Sequence, residues 1–552
     1  MKLIKKLLSL ILLVTMIAAI LVSCTDGSKK ANDDKSEDNK VDGFDISEYK
    51  IVRPSTLANE YLNYIKNFKK IVADNTGADL QVVIDTDQKA DPNAKEILIG
   101  STNRKESADL VKILEKDTYY TIRVSGNKIV ILGKTEDTTM KALKDFLDEA
   151  VYTSKGGKTI NMKSDFEKNA VANSKSMLFD SFTEISIGKK VSVTNRDDLA
   201  TGLIQYSKIV PLSDGTLLAT YENYSYKYTI HRSTDGGATW HQFSTVTDTL
   251  NKGYVAEWMP HLYELPVDMG KYKAGTVLLA GTSKNEKDTF TVSTITIHAS
   301  TDGGKTWETV CNVDLGGGGG EGVWEPYLIY EEERDRLYCF YSDDSDPDHS
   351  QKLAYKYSTD LENWHGKDDK VGVDVDPKDA VACSNKGYRP GMTSVVDMGE
   401  GGYLMTYEMM ASGIPDVQVY YKKTKDLDNW GDPADYGKPV KSTDGHSTGS
   451  GPWCAWSPVG GACGTLVVVG KHPVPYHVTD KGAKMFLSFD YGETFVAIDN
   501  PIPYDLKAEE THCGYSPCVV FSKDGKTLYY VNNPLNKFKQ GHDINFVKIE
   551  IK

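Results

Sequence analysis

The chain has 552 residues, of which 39% are hydrophobic and 26% are charged, and its formal net charge is −14. This composition provides enough apolar material for a folded core and excludes a chain that is disordered throughout. The acidic balance also excludes a nucleic-acid partner, because phosphate contacts require a dense basic patch. Frequent glycine (47) and tyrosine (32) favour a turn-rich, mainly β fold.

The N-terminal segment has the pattern of an export signal. A short basic stretch precedes an apolar run over 7–22, and polar sequence follows at once. The run ends in Leu21-Val22-Ser23-Cys24, which resembles the lipobox of bacterial lipoproteins. This resemblance implies cleavage after residue 23, a lipid on Cys24 that attaches the protein to the membrane, and an extracytoplasmic location. An ordinary signal peptide that happens to contain a cysteine is the alternative.

The segment that follows, 24–43, contains almost no apolar side chain, which predicts a flexible acidic tether. The remaining cysteines show no Cys-x-x-Cys zinc spacing and no dense disulfide framework. Buried free thiols are therefore favoured over a pairing of Cys454 with Cys463 or of Cys513 with Cys518. We expect neither a metal nor a cofactor.

Residues 44–165 predict a small α+β domain. Helical spacing over 61–73 and 138–150 flanks a short buried strand over 96–100 and a hairpin that turns at Gly126-Asn127. The segment Glu96-Ile-Leu-Ile-Gly-Ser-Thr-Asn-Arg104, with the hairpin and helix after it, resembles the small domain that precedes the catalytic domain in several secreted glycoside hydrolases. The resemblance implies a carbohydrate-active context. Because the segment carries no catalytic constellation, we expect an accessory role.

An internal repeat predicts the architecture of the rest. Ser233-Thr-Asp-Gly-Gly-Ala-Thr-Trp240 recurs as Ser300-Thr-Asp-Gly-Gly-Lys-Thr-Trp307, and weaker copies begin at 358, 424 and 488. These segments resemble the Asp-box, or bacterial neuraminidase repeat, of sialidase-like propellers. In such a turn the aspartate accepts backbone hydrogen bonds, glycine supplies positive φ and the aromatic ring packs between sheets. The repeat is therefore structural and not catalytic.

Each repeat is preceded by the same succession of strands and turns, at about 59 residues per unit, which suits a four-stranded blade. This spacing predicts a six-bladed β-propeller over 176–552, with a strand from Phe182–Val193 closing the ring. The fold class is therefore mainly β, a sialidase-like propeller preceded by a small α+β domain. The six units start near Gln205, Trp258, Glu325, Tyr388, Gly451 and Tyr515.

In a propeller the starts of first strands and the ends of second strands share one face near the axis. Those positions here are rich in aromatic rings, which stack on sugars, and in carboxylates, which serve glycosidic cleavage. Simple filling of the propeller centre is the alternative for any single ring. The substrate-binding candidates are Tyr206, Trp258, Trp324, Tyr388, Arg389, Trp453 and Tyr515, of which Arg389 is equally well explained as a structural anchor.

Two acids stand out on this face. Glu325 lies in Gly322-Val-Trp-Glu-Pro-Tyr-Leu328, and Glu408 ends Gly402-Tyr-Leu-Met-Thr-Tyr-Glu408. With Trp258-Met-Pro-His-Leu-Tyr-Glu-Leu265, Arg389-Pro-Gly-Met392 and Trp456-Ser-Pro-Val-Gly-Gly461, these segments resemble the exo-arabinanases of glycoside hydrolase family 93. The resemblance implies a retaining exo-enzyme that releases arabinobiose from the ends of α-1,5-linked L-arabinan. It also implies that Glu325 and Glu408 are the catalytic pair and that Tyr515 is a site tyrosine.

The resemblance to the sialidase fold, whose nucleophile position falls near Glu408, favours Glu408 as nucleophile and Glu325 as general acid/base. Trp324 and Pro326 would desolvate Glu325 and raise its pKa, as a proton donor requires. Asp343 and Glu222 are reserve candidates.

Two other functions remain open. Sialidases bind the substrate carboxylate with three arginines, the first in an Arg-Ile-Pro motif on the first blade, whereas this strand reads Tyr206-Ser-Lys-Ile-Val-Pro211. A non-catalytic lipoprotein that captures oligosaccharides would keep the aromatic rings without needing two facing carboxylates.

Overall fold

We describe the fold from a computed structural model. The predicted export signal, Cys24 and the tether lie outside the residues it describes and stay predictions. Within the described ranges no helix is both long enough and apolar enough to cross a membrane. Those ranges are 44–58, 61–114, 118–154, 157–171, 186–187, 190–193, 204–223, 225–251, 256–284, 293–316, 322–345, 349–366, 388–433, 435–461, 463–476, 482–504, 513–534 and 542–551.

The N-terminal part forms a six-stranded mixed sheet with helices packed on it. Its strands, in spatial order, are Val82–Ile84, Lys50–Arg53, Glu96–Ile99, Lys128–Gly133, Thr118–Ser125 and Glu167–Val171, of which the first four are parallel. A separate pair joins Phe44–Asp45 to Thr159–Ile160. The helices are α1 (Leu62–Thr76), α2 (Lys105–Leu114) and α3 (Glu136–Phe146), which continues into a π-helical turn over Leu147–Val151.

The two helices, the strand and the hairpin predicted from periodicity are present within a few residues of their expected bounds. Helix α2 was not predicted, because its buried face consists only of Ser107, Leu110 and Leu114. So small an apolar face gives a weak periodic signal.

The C-terminal part is a ring of six antiparallel sheets, which confirms the predicted six-bladed propeller. Blades 1, 2, 4 and 5 have four strands in order from the axis outward, and the described part of blade 3 has three. A short hairpin, Thr448–Gly449 with His472–Pro473, adds to blade 5. The blade strands are Gln205–Pro211, Leu217–Glu222, Tyr228–Ser233 and His241–Val246 (blade 1); Ala256–Glu264, Val277–Lys284, Ser293–Ser300 and Glu308–Leu315 (blade 2); Val323–Glu331, Arg336–Asp343 and Lys352–Ser358 (blade 3); Arg389–Asp397, Tyr403–Met410, Val419–Thr424 and Lys438–Pro439 (blade 4); Trp453–Ser457, Thr465–Val469, Met485–Ser488 and Val496–Ile498 (blade 5); and Cys518–Phe521, Thr527–Asn532 and Asn545–Glu550 (blade 6).

The ring closes as the sequence predicts. Ser186–Ile187 and Val191–Ser192, which precede blade 1, both pair antiparallel with the last strand of blade 6, Asn545–Glu550. Closure therefore joins the two ends of the propeller in one sheet.

The repeated turns share one pattern of hydrogen bonds. In the first, the Thr239 amide donates to Asp235 Oδ1 at 2.9 Å and the Gly237 amide donates to Ser233 Oγ at 2.9 Å. The Trp240 indole donates to the Gly237 carbonyl at 3.1 Å, which holds the ring over the turn. The aspartates of the turns near 302, 360, 426 and 490 also accept backbone amides two to four residues further along the chain.

All six cysteines in the described ranges are free, and five of them are buried. This agrees with the expectation of buried thiols rather than disulfides.

Gly43–Lys552 form one compact unit, so the boundary between the small domain and the propeller stays a prediction. The N-terminal sheet contacts blade 4 through ion pairs. Asp137, at the start of α3, is 4% exposed and accepts from Lys423 Nζ at 2.8 Å and Lys425 Nζ at 2.7 Å. The Tyr61 hydroxyl donates to the same carboxylate at 2.8 Å. Both lysines lie at the outer turn of blade 4, on the face opposite the starts of the first strands.

We expect Asp137→Ala to lower the free energy of unfolding by about 3 kcal/mol, because it leaves two lysines without their buried partner. Denaturant unfolding at pH 7 measures the loss. The two lysines lower the pKa of Asp137, so this stabilisation is complete above the ordinary aspartate range and is lost as the pH falls through the lowered value.

Asp79→Ala is the matched control. Asp79 pairs with Lys69 at 2.9 Å, but its side chain is 80% exposed, so the loss should stay within about 0.5 kcal/mol. Equal losses in the two variants would contradict a stabilising role for the Asp137 contact.

Candidate active site

The innermost strands share a backbone irregularity that sequence reasoning did not find. In blades 1 to 4 a β-bulge interrupts the pairing of the first and second strands near the start of the first strand. At the corresponding place in every blade one residue has positive φ, which for a side chain other than glycine costs about 1–3 kcal/mol and is typical of functional sites. These residues are Tyr206 (50°), Met259 (53°), Glu325 (62°), Met392 (56°), Gly451 (54°) and Ser516 (54°).

Five of the six positive-φ residues, all except Gly451, line a cavity between the blades. Every blade contributes to its lining, so the cavity exists only because the ring is closed. The lining residues are Tyr206, Lys208, Met259, Pro260, Glu325, Pro326, Met392, Thr393, Pro452, Trp453 and Ser516.

Glu325 projects from the bulge of blade 3 and is partly exposed. Its Oε1 accepts from the Tyr206 hydroxyl at 3.1 Å, and its Oε2 accepts from the Ser342 hydroxyl at 2.6 Å and the Met392 amide at 2.9 Å. Desolvation raises the pKa of Glu325, as its position beside Trp324 and Pro326 predicts, while the three donors oppose the rise. Blades 1, 3 and 4 thus hold this carboxyl group together.

Glu408 lies in the neighbouring blade, near the end of its second strand, and is also partly exposed. Glu408 pairs with Gly391 across the two strands. A Cβ atom placed on Gly391 would lie 3.6 Å from Glu325 Oε2, so both acids lie next to this glycine. The Gly451 amide donates to Glu408 Oε2 at 2.8 Å. Desolvation, and next the charge of Glu325, raise the pKa of Glu408 to about 7.

Glu222, a reserve candidate in the sequence, is a third acid near the cavity. It is 1% exposed, and it accepts from Gln205 Nε2 at 2.6 Å and from the Met259 amide at 3.0 Å. Desolvation raises its pKa to about 7. Asp343, the other reserve candidate, binds Lys352 at 3.4 Å and the Ser345 amide.

Lys208 is a buried cation in the cavity that sequence reasoning did not single out. Its ammonium group donates to Ser516 Oγ at 2.7 Å and to the Ser516 carbonyl at 3.0 Å, and it lies 4.2 Å from the centre of the Trp453 ring. Burial lowers the pKa of Lys208 to about 8. It therefore joins blades 1, 5 and 6 beneath the carboxyl groups.

Most of the predicted aromatic residues meet here. The rings of Tyr206 and Tyr515 are 5.4 Å apart and edge to face. Trp258 and Trp324 are partly exposed and stacked with centroids 6.4 Å apart, and the Lys284 ammonium group lies 4.2 Å from the Trp258 ring and 5.4 Å from the Trp324 ring. Trp453 is 8% exposed and forms the floor of the cavity.

The structure places two predicted binding residues elsewhere. The Tyr388 ring packs 5.5 Å from Tyr436, away from the acid pair. The Arg389 guanidinium donates to the Ser350 carbonyl at 3.0 Å and to Gln351 Oε1 at 2.6 Å. Arg389 therefore links blades 3 and 4, which supports the structural explanation that the sequence left open for it.

Sequence reasoning missed four residues of the inner strands that lie in, or pair with, the bulged segments. They are Lys208, Met259, Ser342 and Met392. One signal was present, since the positive-φ residue directly precedes proline in blades 2, 3, 5 and 6. Within the described ranges, no group of three or more histidine, cysteine, aspartate or glutamate side chains could hold a metal ion.

The arginines of the described propeller residues all have other partners. Arg334 binds Glu331, Asp426 and Asp428, and Arg336 stacks on Tyr357 at 3.9 Å. Arg232 lies 4.8 Å from the Phe243 ring on an outer strand.

Comparison with known proteins gives a consistent result. Neither protein-family models nor curated proteins match the chain. Among solved structures, the α-L-arabinanase of Penicillium chrysogenum complexed with arabinobiose shares 28% identity, covering 66% of this chain and 99% of the arabinanase, with a TM-score of 0.55. The GH93 α-L-arabinofuranosidase of Fusarium graminearum complexed with arabinobiose shares 28% identity. The match covers 66% of this chain and 98% of the Fusarium enzyme, with a TM-score of 0.53. With an iminosugar inhibitor, the Fusarium enzyme shares 29% identity at a TM-score of 0.55. The chain is thus similar in structure to GH93 arabinan-degrading enzymes, as the sequence motifs indicate.

Proposed function

We propose that the protein is a glycoside hydrolase that acts on α-1,5-linked L-arabinan and releases arabinobiose from its ends. The observation that carries the proposal is the pair Glu325 and Glu408, two partly exposed acids of adjacent blades that flank Gly391 beside two stacked tryptophan rings. Both have raised pKa values, so the pair can hold one proton near neutral pH. One ionised and one protonated acid is the state that glycosidic cleavage requires. Similarity to enzymes crystallised with arabinobiose supports the substrate.

The hydrogen bonds favour Glu325 as nucleophile and Glu408 as general acid/base. Glu325 receives donors from Tyr206, Ser342 and Met392 on both of its oxygens, and such donors stabilise an ionised carboxylate. Glu408 accepts the Gly451 amide on Oε2, and the neighbouring charge of Glu325 favours its protonated form. This assignment reverses the one expected from the sequence, which rests on the nucleophile position of the sialidase fold and on the desolvation of Glu325.

The reaction then has two steps. Glu408 gives its proton to the glycosidic oxygen while a Glu325 oxygen bonds to the anomeric carbon, so the carbon–oxygen bond to the leaving sugar breaks. Glu408, now ionised, takes a proton from water, and the resulting hydroxide displaces Glu325 from the anomeric carbon. Two displacements at one carbon retain its configuration.

The polar contacts argue for a neutral sugar rather than a sialoside. The described arginines have partners outside the cavity, and at the position of the first sialidase arginine stands Lys208, whose ammonium group is bound to Ser516 and covers the Trp453 ring. A carboxylate-binding arginine triad is therefore not assembled from the described residues.

Incubation with linear arabinan, and separately with a sialoside, tests the proposal. We expect arabinobiose as the main early product and no sialic acid, because the site offers two acids and aromatic rings but no cluster of arginines. The configuration of the first-formed product, followed by NMR, should match that of the substrate linkage. Release of sialic acid, or binding of arabinan without any cleavage, would overturn the proposal.

A further inference from the structure

The inner strands repeat one contact between neighbouring blades. In blades 1, 3 and 4, the last residue of the first strand before the bulge pairs with one residue of the second strand. That second-strand residue is Glu222 in blade 1, Ser342 in blade 3 and Glu408 in blade 4. Each of these side chains accepts a hydrogen bond from the backbone amide at the positive-φ residue of the following blade. The amides are those of Met259 (3.0 Å), Met392 (3.1 Å) and Gly451 (2.8 Å).

This contact has a physical cause. The bulge turns one amide away from its own ladder, and a buried amide without a partner costs about 1–3 kcal/mol. A polar side chain from the preceding blade supplies the acceptor. Glu222 thus holds the position in blade 1 that Glu408 holds in blade 4, so two of the three equivalent side chains are acids.

The two acids, Glu222 and Glu408, differ in their exposure to solvent. Glu408 is partly exposed, whereas Glu222 is 1% exposed and is covered by Gln205, which donates to its Oε1. Glu222 therefore cannot reach a substrate. It can act only through the residues that it binds, Gln205 and Met259, and through its charge.

Several charged or titratable groups face Glu222 from the surrounding elements. Glu325 on blade 3 raises the pKa of Glu222, and Lys208 on its own blade lowers it. The charge of Glu222 in turn raises the pKa values of Tyr206, Tyr228 and Tyr515. Glu222 is thus electrostatically coupled both to Glu325 and to the tyrosine that donates to it.

We propose that Glu222 is a positioning residue of the site, which fixes the Met259 turn and Tyr206 around the cavity and, by its own protonation, tunes the acid pair. This inference rests on the proposed glycosidase function. When Glu222 is protonated, the cavity contains one negative charge fewer beside Glu325. When Glu222 ionises, its charge disfavours a further negative charge on Glu325, and so disfavours loss of the proton that the acid pair shares.

Glu222→Gln tests this role, since it keeps the size and the acceptor oxygen for the Met259 amide but cannot ionise. We expect kcat at the optimum to stay within about tenfold of wild type. The alkaline limb of the pH profile should move to lower pH, by about half a unit, because the charge that Glu222 carries above about pH 7 is gone, whereas the acid limb should stay in place because Glu222 is already protonated there. Glu222→Ala should instead lower kcat more than it changes KM, because the Met259 amide and Gln205 lose their acceptor.

A second readout does not need a substrate. The pKa of Glu222 is raised to about 7 from an ordinary value of 4.5, so the folded protein binds more protons than the unfolded chain between these values. The contribution of Glu222 to stability therefore falls as the pH rises through this window. The Tm of Glu222→Gln minus that of wild type should accordingly increase from pH 4.5 to pH 7.

Glu257→Gln is the matched control. Glu257 is 5% exposed and also has a pKa raised to about 7, but it binds the Asp248 amide and Ser283 in blade 2. It should show a similar change of Tm with pH and no shift of the activity profile. An active wild type with an unshifted Glu222→Gln profile would overturn the positioning role, whereas an inactive wild type would overturn the proposed function. If the difference in Tm between Glu222→Gln and wild type did not change with pH, the inferred protonation of Glu222 would be overturned, whether or not the wild type is active.

Discussion

Glu325→Gln is expected to lower kcat on linear arabinan by about a thousandfold or more while leaving the fold intact. The amide cannot form the bond to the anomeric carbon, but its oxygen and nitrogen occupy the same space beside Tyr206, Ser342 and Met392. Initial rates with reducing-sugar detection measure the loss, and thermal unfolding verifies that Tm stays close to that of wild type.

Glu264→Gln provides a comparison on a similar strand. Glu264 ends the first strand of blade 2, where it accepts from the Ser213 amide at 2.8 Å, far along that strand from the cavity. This variant should keep near-normal kcat. A Glu325→Gln enzyme that is as active as Glu264→Gln would refute a role for Glu325 in the chemistry.

Small nucleophiles distinguish the role of Glu325 from that of its partner. With Glu325→Ala, an activated aryl glycoside and added azide, we expect rescue through direct attack of azide on the anomeric carbon, which inverts its configuration. A rescued product of retained configuration would instead identify Glu325 as the acid/base, as desolvation alone suggests.

The propeller could be predicted because its signals are local and repeated. The turns around Asp235 and Asp302 are specified by short segments in which hydroxyl, aspartate, glycine and tryptophan each make a defined hydrogen bond. The strand-and-turn units that accompany these turns number six, which predicts the six blades, and the segment before blade 1 closes the ring as expected.

The site was only partly predictable, since the decisive contacts join residues far apart in the chain. The sequence brought Glu325, Glu408, Tyr206 and Tyr515 to one face, but the hydrogen bond from Tyr206 to Glu325 spans 119 positions. Neither strand alone shows that this contact forms. The bulge and its positive-φ residue decide it in blade 3, and the local signal for a positive-φ residue is the proline that follows it in blades 2, 3, 5 and 6.

Strand position also failed to separate site residues from anchors. Tyr388 and Arg389 occupy the start of a first strand, as Trp324 does in blade 3, yet they contact Tyr436 and the 350–351 segment. A side chain at the rim can turn toward the axis or toward the next blade, and packing against residues distant in sequence selects between the two.

The catalytic face and the N-terminal sheet are on opposite sides of blade 4. Lys423, near the end of the third strand of this blade, and Lys425, just after it, bind Asp137, whereas Glu408 lies at the other end of the second strand. The N-terminal part therefore contacts the blade that carries Glu408 on the side away from that acid. This arrangement suits an accessory role in stability rather than in substrate contact.

Glu408→Gln is expected to lower kcat on arabinan by about a thousandfold, since the departing sugar is a poor leaving group without a proton. An aryl glycoside with an acidic phenol needs little protonation, so its kcat/KM should fall by no more than about tenfold. Comparing the two substrates in one variant separates loss of the proton donor from loss of the site. A parallel collapse on both would show that Glu408 is not the acid.

The pH profile gives the same residue a second, independent signature. The pKa of Glu408 is raised to about 7 by burial and by the charge of Glu325, so wild-type activity should fall as the pH rises through this value and the proton is lost. In Glu408→Gln no proton is there to lose, and the residual activity on the aryl glycoside should stay level through the alkaline range.

Azide should restore the rate of Glu408→Gln on the aryl glycoside with retained configuration, because Glu325 still forms the covalent intermediate that azide then attacks. If the alkaline limb persists in the variant, the proton donor is another group, and Glu325 would then be the first to test.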